Sequence, residues 1–282
     1  MKATPRLVLA ATVAVLFLFQ VREAEAYVTN EWALYANGAP GIPVTFTTNA
    51  MMNIQQGFCF FTHIQGQFEG GGEGGQLWVG SDGNWRMKVW AQQPGIGFRA
   101  RCVTWDSFPN SANHTYTVAP RWDYSYGSFN TPVWGIDSIC LLDLLSGQYS
   151  ETYQSAGTTT SSQSFSGGPV SARWLNQGNG NFNGTLVESG TFCANFGHAA
   201  HLVMAPPGYG ANYDFLVTGG DFDDVAMLGV GAGICWLNGI QGRFDGAGEQ
   251  ATVYVGGDHN WHLQQLSQQS YTASMAACAY FH

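Results

Sequence analysis

Charge is scarce in this chain. Asp, Glu, Lys and Arg together make up 10% of its 282 residues, and the only two lysines are Lys2 and Lys88. Nucleic-acid affinity is built from Lys and Arg contacts to phosphate, so this composition excludes a nucleic-acid partner. The basic clusters that hold a protein to an anionic membrane surface are missing for the same reason. Long apolar runs are missing too. The two most apolar stretches, LVLAATVAVLFLF (7–19) and VAMLGVGAGICWL (225–237), have 13 residues each, short of the ~20 that span a bilayer. The second reads as a buried strand pair. No segment shows a capped amphipathic helical pattern. There is no Gly-x-Ser-x-Gly elbow, and the glycine-rich runs lack the lysine of a phosphate loop.

Lys2 and Arg6 flank the start of the first apolar run, and Ala24-Glu25-Ala26 follows it. A positive start, a short apolar stretch and a small-x-small site predict a secretory signal peptide over 1–26, cut before Tyr27. After the cut, 256 residues remain (282 − 26), with seven cations and 17 acids for a net charge of −10 (7 − 17). The expected location is secreted, extracellular or at the cell surface, with no membrane span once the leader is gone. Disulfides persist in such a compartment.

What is abundant is glycine, with 37 residues, and aromatics at 14%. All six cysteines lie beyond the leader: Cys59, Cys102, Cys140, Cys193, Cys235 and Cys278. Residues 59–102 and 235–278 align without a gap and share 17 of 44 positions, an internal duplication. Both copies carry Ile-Gln-Gly, a following Phe (Phe68, Phe244), a Glu behind a glycine cluster (Glu73, Glu249), Asp-x-Asn-Trp and a closing Cys. The segment between Cys140 and Cys193 follows the pattern loosely through Leu145, Gly147, Tyr149 and Trp174, but has no counterpart of Glu73 or Asp82. Its extra residues fall in SAGTTTSSQSFSGG (155–168), read as an exposed loop or extended hairpin tip. Six cysteines allow 15 pairings. Copies that must fold alike favour pairing within each segment: Cys59 with Cys102, Cys140 with Cys193, Cys235 with Cys278.

Within the copies, QLWVG (76–80) matches TVYVG (252–256), and NWRMKV matches NWHLQQ. Leu77, Val79, Trp85 and Met87 keep their apolar character in Val253, Val255, Trp261 and Leu263, while Arg86 and Lys88 become His262 and Gln264. One constant face and one drifting face describe half-buried antiparallel strands. The expected fold is all-β: tandem, disulfide-clipped antiparallel modules, sandwich-like, in three copies with a divergent middle one. The modules are drawn at 27–105, 106–196 (with the Ser/Thr-rich insertion) and 197–282. The run ICLLDLLSG (139–147) leaves a helical turn open, although its counterparts read as strand. The pattern Cys-aromatic, Ile-x-Gly-x-Phe, Gly-rich-Glu, Asp-x-Asn-Trp and Cys resembles tandem modules of uncharacterised secreted bacterial proteins. That resemblance implies no activity and no functional residue.

Candidate chemistry is sparse. Glu73 with Asp82, and Glu249 with Asp258, offer paired acids of the kind that hydrolyse glycosides. The same aspartates suit turns whose side chains bond their own backbone. Asp82-x-Asn84, Asp258-x-Asn260 and GGDFDD (219–224) offer oxygen ligands to calcium without a recognised calcium-loop spacing, and no other cofactor is expected. His198 and His201 lack a third zinc ligand. Asn113 and Asn183 head glycosylation triplets. Trp85, Trp174 and Trp261 read as core. Trp78, Tyr254, Trp122 and Tyr124 are candidates to stack on sugar, with Glu73 and Glu249 as polar neighbours. The leading reading is a non-catalytic secreted protein for adhesion, envelope structure or glycan binding, its partners glycans or envelope components. The alternatives are an extracellular carbohydrate-active hydrolase and a self-assembling filament subunit.

Overall fold

The computed structural model describes residues 28–40, 42–70, 72–104, 116–117, 127–134, 138–149, 155–161, 169–177, 188–195, 200–202, 215–219 and 222–281. The protein is all-β. Its strands are β1 Trp32–Ala36, β2 Val44–Thr47, β3 Gly57–Gln65, β4 Gly74–Val79, β5 Trp85–Ala91, β6 Ile96–Thr104, β7 Tyr116–Thr117, β8 Gly127–Trp134, β9 Ser138–Ser146 and β10 Ser155–Ser161. They continue with β11 Pro169–Gln177, β12 Glu188–Asn195, β13 Ala200–Leu202, β14 Phe215–Thr218, β15 Phe222–Gly229, β16 Gly233–Gln241, β17 Gln250–Val255, β18 Asn260–Leu266 and β19 Ala273–Phe281. Among the described residues the only helix is the 3₁₀ turn Val230–Ala232, and none is long and apolar enough to cross a membrane.

The strands form three antiparallel sheets, ordered β1-β6-β3-β17-β18-β15, β2-β5-β4-β9-β12-β7 and β13-β19-β16-β10-β11-β8. β14 pairs with β19 beside the third. Each sheet joins a cysteine-bearing hairpin from one sequence module to an inner hairpin from another. β3–β6 meets β17–β18 through β3 and β17, β9–β12 meets β4–β5 through β9 and β4, and β16–β19 meets β10–β11 through β16 and β10. The exchange is cyclic, so no module owns a sheet. β3, β9 and β16 pack against one another where the sheets converge, and the buried apolar side chains form one continuous core.

Register places each cysteine directly opposite its partner: Cys59 with Cys102, Cys140 with Cys193 and Cys235 with Cys278. The disulfides Cys59–Cys102 and Cys235–Cys278 are formed, as expected, each closing a separation of 43 residues. The Cys140 and Cys193 side chains are outside the described set. Each cysteine hairpin also skips one residue three places after its first cysteine: Thr62, Asp143 and Asn238. Such a bulge bends the strand and sharpens its twist, here at the same level of all three hairpins.

β5 alternates between buried and half-exposed positions throughout, and β18 does so up to its exposed last residue, Leu266, which is the half-buried pattern read from the two copies. Trp85 and Trp261 are core residues, and each indole donates to a glycine carbonyl at 3.1 Å, Gly57 or Gly233. Residues 139–147 contain no helical turn; they run through strand β9 and its end. The polar SAGTTTS half of the insertion is β10, an interior strand hydrogen-bonded to both β11 and β16 rather than an exposed loop. Its β-branched threonines suit extended backbone, and a gap between two modules gives that backbone partners on both edges.

At the convergence of the sheets three peptides close a ring. The Phe68 amide donates to the Phe244 carbonyl, Phe244 to Tyr149 and Tyr149 to Phe68, each at 2.7 Å. All three side chains are fully buried. The chain enters this ring through glycines with positive φ: Gly66 (119°), Gly147 (119°) and Gly242 (87°). A Cβ on Gly242 would stand 1.7 Å from the Tyr271 carbonyl oxygen. Gly242→Ala should therefore cost roughly 3 kcal/mol of folding free energy in a chemical denaturation series. Gly257→Ala, where a Cβ meets nothing within 4 Å, should stay within about 0.5 kcal/mol of the parent.

Candidate functional site

The duplicated acids do structural work in the folded chain. Glu73 and Glu249 are 1% and 0% exposed. Glu73 Oε2 accepts the Gly70 amide at 2.9 Å, and Glu249 Oε1 accepts the Gln268 amide at 3.3 Å. Glu249 Oε2 is buried without a partner. Burial pushes both carboxyls above the ordinary range, against the pull of the turn amides. Their backbone carbonyls take the Gly147 and Gly66 amides at 3.0 Å. These residues therefore tie a glycine turn to the central ring.

Asp82 and Asp258 cap matching hairpin turns. Asp82 accepts the Asn84 amide at 3.2 Å and side chain at 2.9 Å; Asp258 accepts those of Asn260 at 3.1 and 2.8 Å. Bonds from Asn84, with Arg86 beside them, hold Asp82 down to about 2. This is the turn geometry read from the sequence. Among the described residues no three His, Cys, Asp or Glu side chains converge as a metal set. Trp122, Tyr124, Asn113, Asn183 and His198 lie outside the described residues, so the corresponding expectations do too.

Trp78 and Tyr254 occupy matching positions on outward faces of two different sheets, both half-buried. On the second sheet Trp78 faces Arg86 across the ladder. The Lys88 ammonium stands 5.8 Å from the Trp78 ring and 5.2 Å from that of Trp90. Tyr254 sits in a more developed setting on the first sheet. Its ring is 5.3 Å from His262, tilted by 30°, and its hydroxyl donates to Asp224 Oδ2. Gln264 donates to the same oxygen at 3.3 Å. His262 bridges two carboxylates, Nδ1 to Asp224 at 2.7 Å and Nε2 to Asp258 at 3.0 Å.

Compared with known proteins, this chain matches no family model, no curated protein and no solved structure.

The same outward face continues across the module boundary. His63, fully buried on β3, lies 2.7 Å through Nδ1 from the Thr252 hydroxyl of β17 and 2.8 Å through Nε2 from Gln65 Oε1. Farther along, Arg99 and Arg101 share Glu31 at 3.4 and 3.6 Å. The Thr62 hydroxyl also donates to Glu31, at 2.8 Å. Only Tyr254 of this network was singled out from the sequence as a stacking residue. The signal for the rest was the drifting face of the two copies: where Arg86 and Lys88 stand in one, His262 and Gln264 stand in the other.

The two histidines respond to pH in opposite senses. Burial lowers His63 to about 4. Between pH 4 and its ordinary value near 6.5 the unfolded chain binds a proton that the folded one refuses, so stability rises with pH there. Burial also opposes charge on His262, but the Asp224 and Asp258 carboxylates outweigh it and raise that group. Its contribution is complete below 6.5 and is lost as pH climbs through the raised value. The stability of the parent relative to His63→Gln should grow by about 3 kcal/mol from pH 4 to 6.5. Relative to His262→Gln it should shrink above pH 6.5. Denaturation curves across pH 4–9 check both slopes.

Proposed function

We propose that this is a secreted, non-catalytic β-repeat protein, akin to tandem modules of secreted bacterial proteins, that binds glycans or other envelope material outside the cell. The observation that carries the reading is the pair Trp78 and Tyr254. Both copies of the duplicated hairpin present a half-exposed aromatic ring at one position of an outward sheet face, beside polar side chains. A flat apolar ring with polar neighbours suits the faces and hydroxyls of a sugar. Burial of Glu73 and Glu249 supports a binding role over a hydrolytic one, because acids that cleave a glycosidic bond must reach it. The disulfides and the apolar leader of the sequence support export.

The test is a glycan array together with pull-downs on purified envelope polysaccharide. Tyr254→Ala and Trp78→Ala should each weaken capture several-fold while leaving the melting temperature within a few degrees of the parent. Uniformly negative arrays and pull-downs would sink the reading.

A further inference from the structure

The first sheet, β1-β6-β3-β17-β18-β15, offers two complete cross-strand rows on its outward face. One runs Tyr35, Gly97, Gln65, Gln250, Leu266, Phe222. The other runs Ala33, Arg99, His63, Thr252, Gln264, Asp224. The first is bounded at its two ends by exposed rings, Tyr35 at 42% and Phe222 at 62%. The second carries a hydrogen-bonding side chain on each of the five strands from β6 to β15, with His63 of β3 buried beneath its neighbours and Arg99, Thr252, Gln264 and Asp224 partly exposed. With strands about 4.8 Å apart, six of them extend the face to about 24 Å, far longer than a single sugar ring.

Tyr35 is laid flat on this face. A Cβ on Gly97 would fall 2.6 and 2.7 Å from Cδ1 and Cε1 of the Tyr35 ring, and 2.9 Å from Gln65 Cγ. The ring thus occupies the space that any other residue at 97 would fill. Its far end is fixed by the Arg99 Nε donor at 2.8 Å. One side of the ring rests on the glycine and the residue keeps the exposure of a stacking platform. Tyr254, packed against His262, supplies a second ring on the module 3 side of the same face.

The charges of the face are paired internally. Arg99 and Arg101 share Glu31, and His262 lies between Asp224 and Asp258. With His262 protonated these six groups sum to zero (3 − 3). With His262 neutral they sum to −1 (2 − 3), and in either state each charge is already paired within the face, so a charged polymer finds no free partner among these groups, whereas a neutral chain meets rings, amides and hydroxyls along its length.

We infer that the outward face of the first sheet binds an extended neutral polysaccharide laid across the strands, stacked on Tyr35 and Tyr254 and hydrogen-bonded to the Gln264–Thr252 row. This rests on the glycan-binding reading and names the face and ligand class for it. The full secreted chain is tested by depletion onto microcrystalline cellulose and chitin, and by affinity electrophoresis in soluble mannan and xyloglucan. Heparin and polygalacturonate serve as charged comparators.

Tyr35→Ala and Gln264→Ala should each reduce affinity for the bound neutral polysaccharide at least tenfold, with the melting temperature within a few degrees of the parent. Tyr35→Phe should retain most binding, which separates loss of the ring from loss of fold. Phe46→Ala, an exposed ring on an edge strand of the second sheet, should have no effect. Binding should persist from low salt to 0.5 M NaCl, since no ion pair with the ligand is involved. Neutral-glycan binding that is indifferent to Tyr35→Ala and Gln264→Ala would overturn this face while leaving the glycan reading standing. Preference for heparin or polygalacturonate would overturn the neutral ligand. Absence of binding to any polysaccharide would overturn both.

Discussion

Three backbone hydrogen bonds hold this protein's architecture in register: Phe68 to Phe244, Phe244 to Tyr149 and Tyr149 to Phe68. Each is an ordinary bond. What matters is closure, because each residue donates to one neighbour and accepts from the other, and the side chains attached are fully buried. A buried peptide group left unpaired costs far more than a paired one contributes. The ring is therefore complete only when the three cysteine segments come together. The sheets obey the same condition, since every one of them is half built from each of two modules.

From that closure follows the division of labour between residues. Groups on the way into the ring have no latitude: the positive-φ glycines, the two glutamates that tie down their turns, and the tryptophans whose indoles bond a glycine carbonyl on a strand of another sheet. The outward faces carry none of these duties, and there the two copies have diverged. One sheet presents Trp78, Arg86 and Lys88; another presents Tyr254, His262 and Gln264. The outward side chains have room to diverge because the buried set already secures the fold. The outward face of the first sheet is also composite, with His63 of one module bonded to Thr252 of another.

Much of the local structure was legible in the sequence for this reason. Comparing Leu77, Trp85 and Met87 with Val253, Trp261 and Leu263 separates the buried face from the exposed one without coordinates. The equal spacing of the outer cysteine pairs anticipates two disulfides, and Asp-x-Asn anticipates its own turn. The glutamates were harder. A carboxyl behind a glycine cluster looks alike in sequence whether it faces a ligand or plugs a turn; burial decides, and burial depends on what packs over it. SAGTTTS was harder still, since its composition describes a loop tip while its position between β11 and β16 makes it an interior strand.

Alternation, duplication and cysteine spacing are short-range properties, carried by residues that act through their own strand or their immediate partner. They determined the strand content, the hairpins and the faces of this protein. Which hairpin joins which sheet, the ring at Phe68, Tyr149 and Phe244, and the continuous face from Tyr35 to Asp224 were decided only by the tertiary structure. Those pairings are made between backbones far apart in the chain, and a backbone edge is chemically the same in every module. Only the packing of all three cysteine hairpins around one core selects among its possible partners.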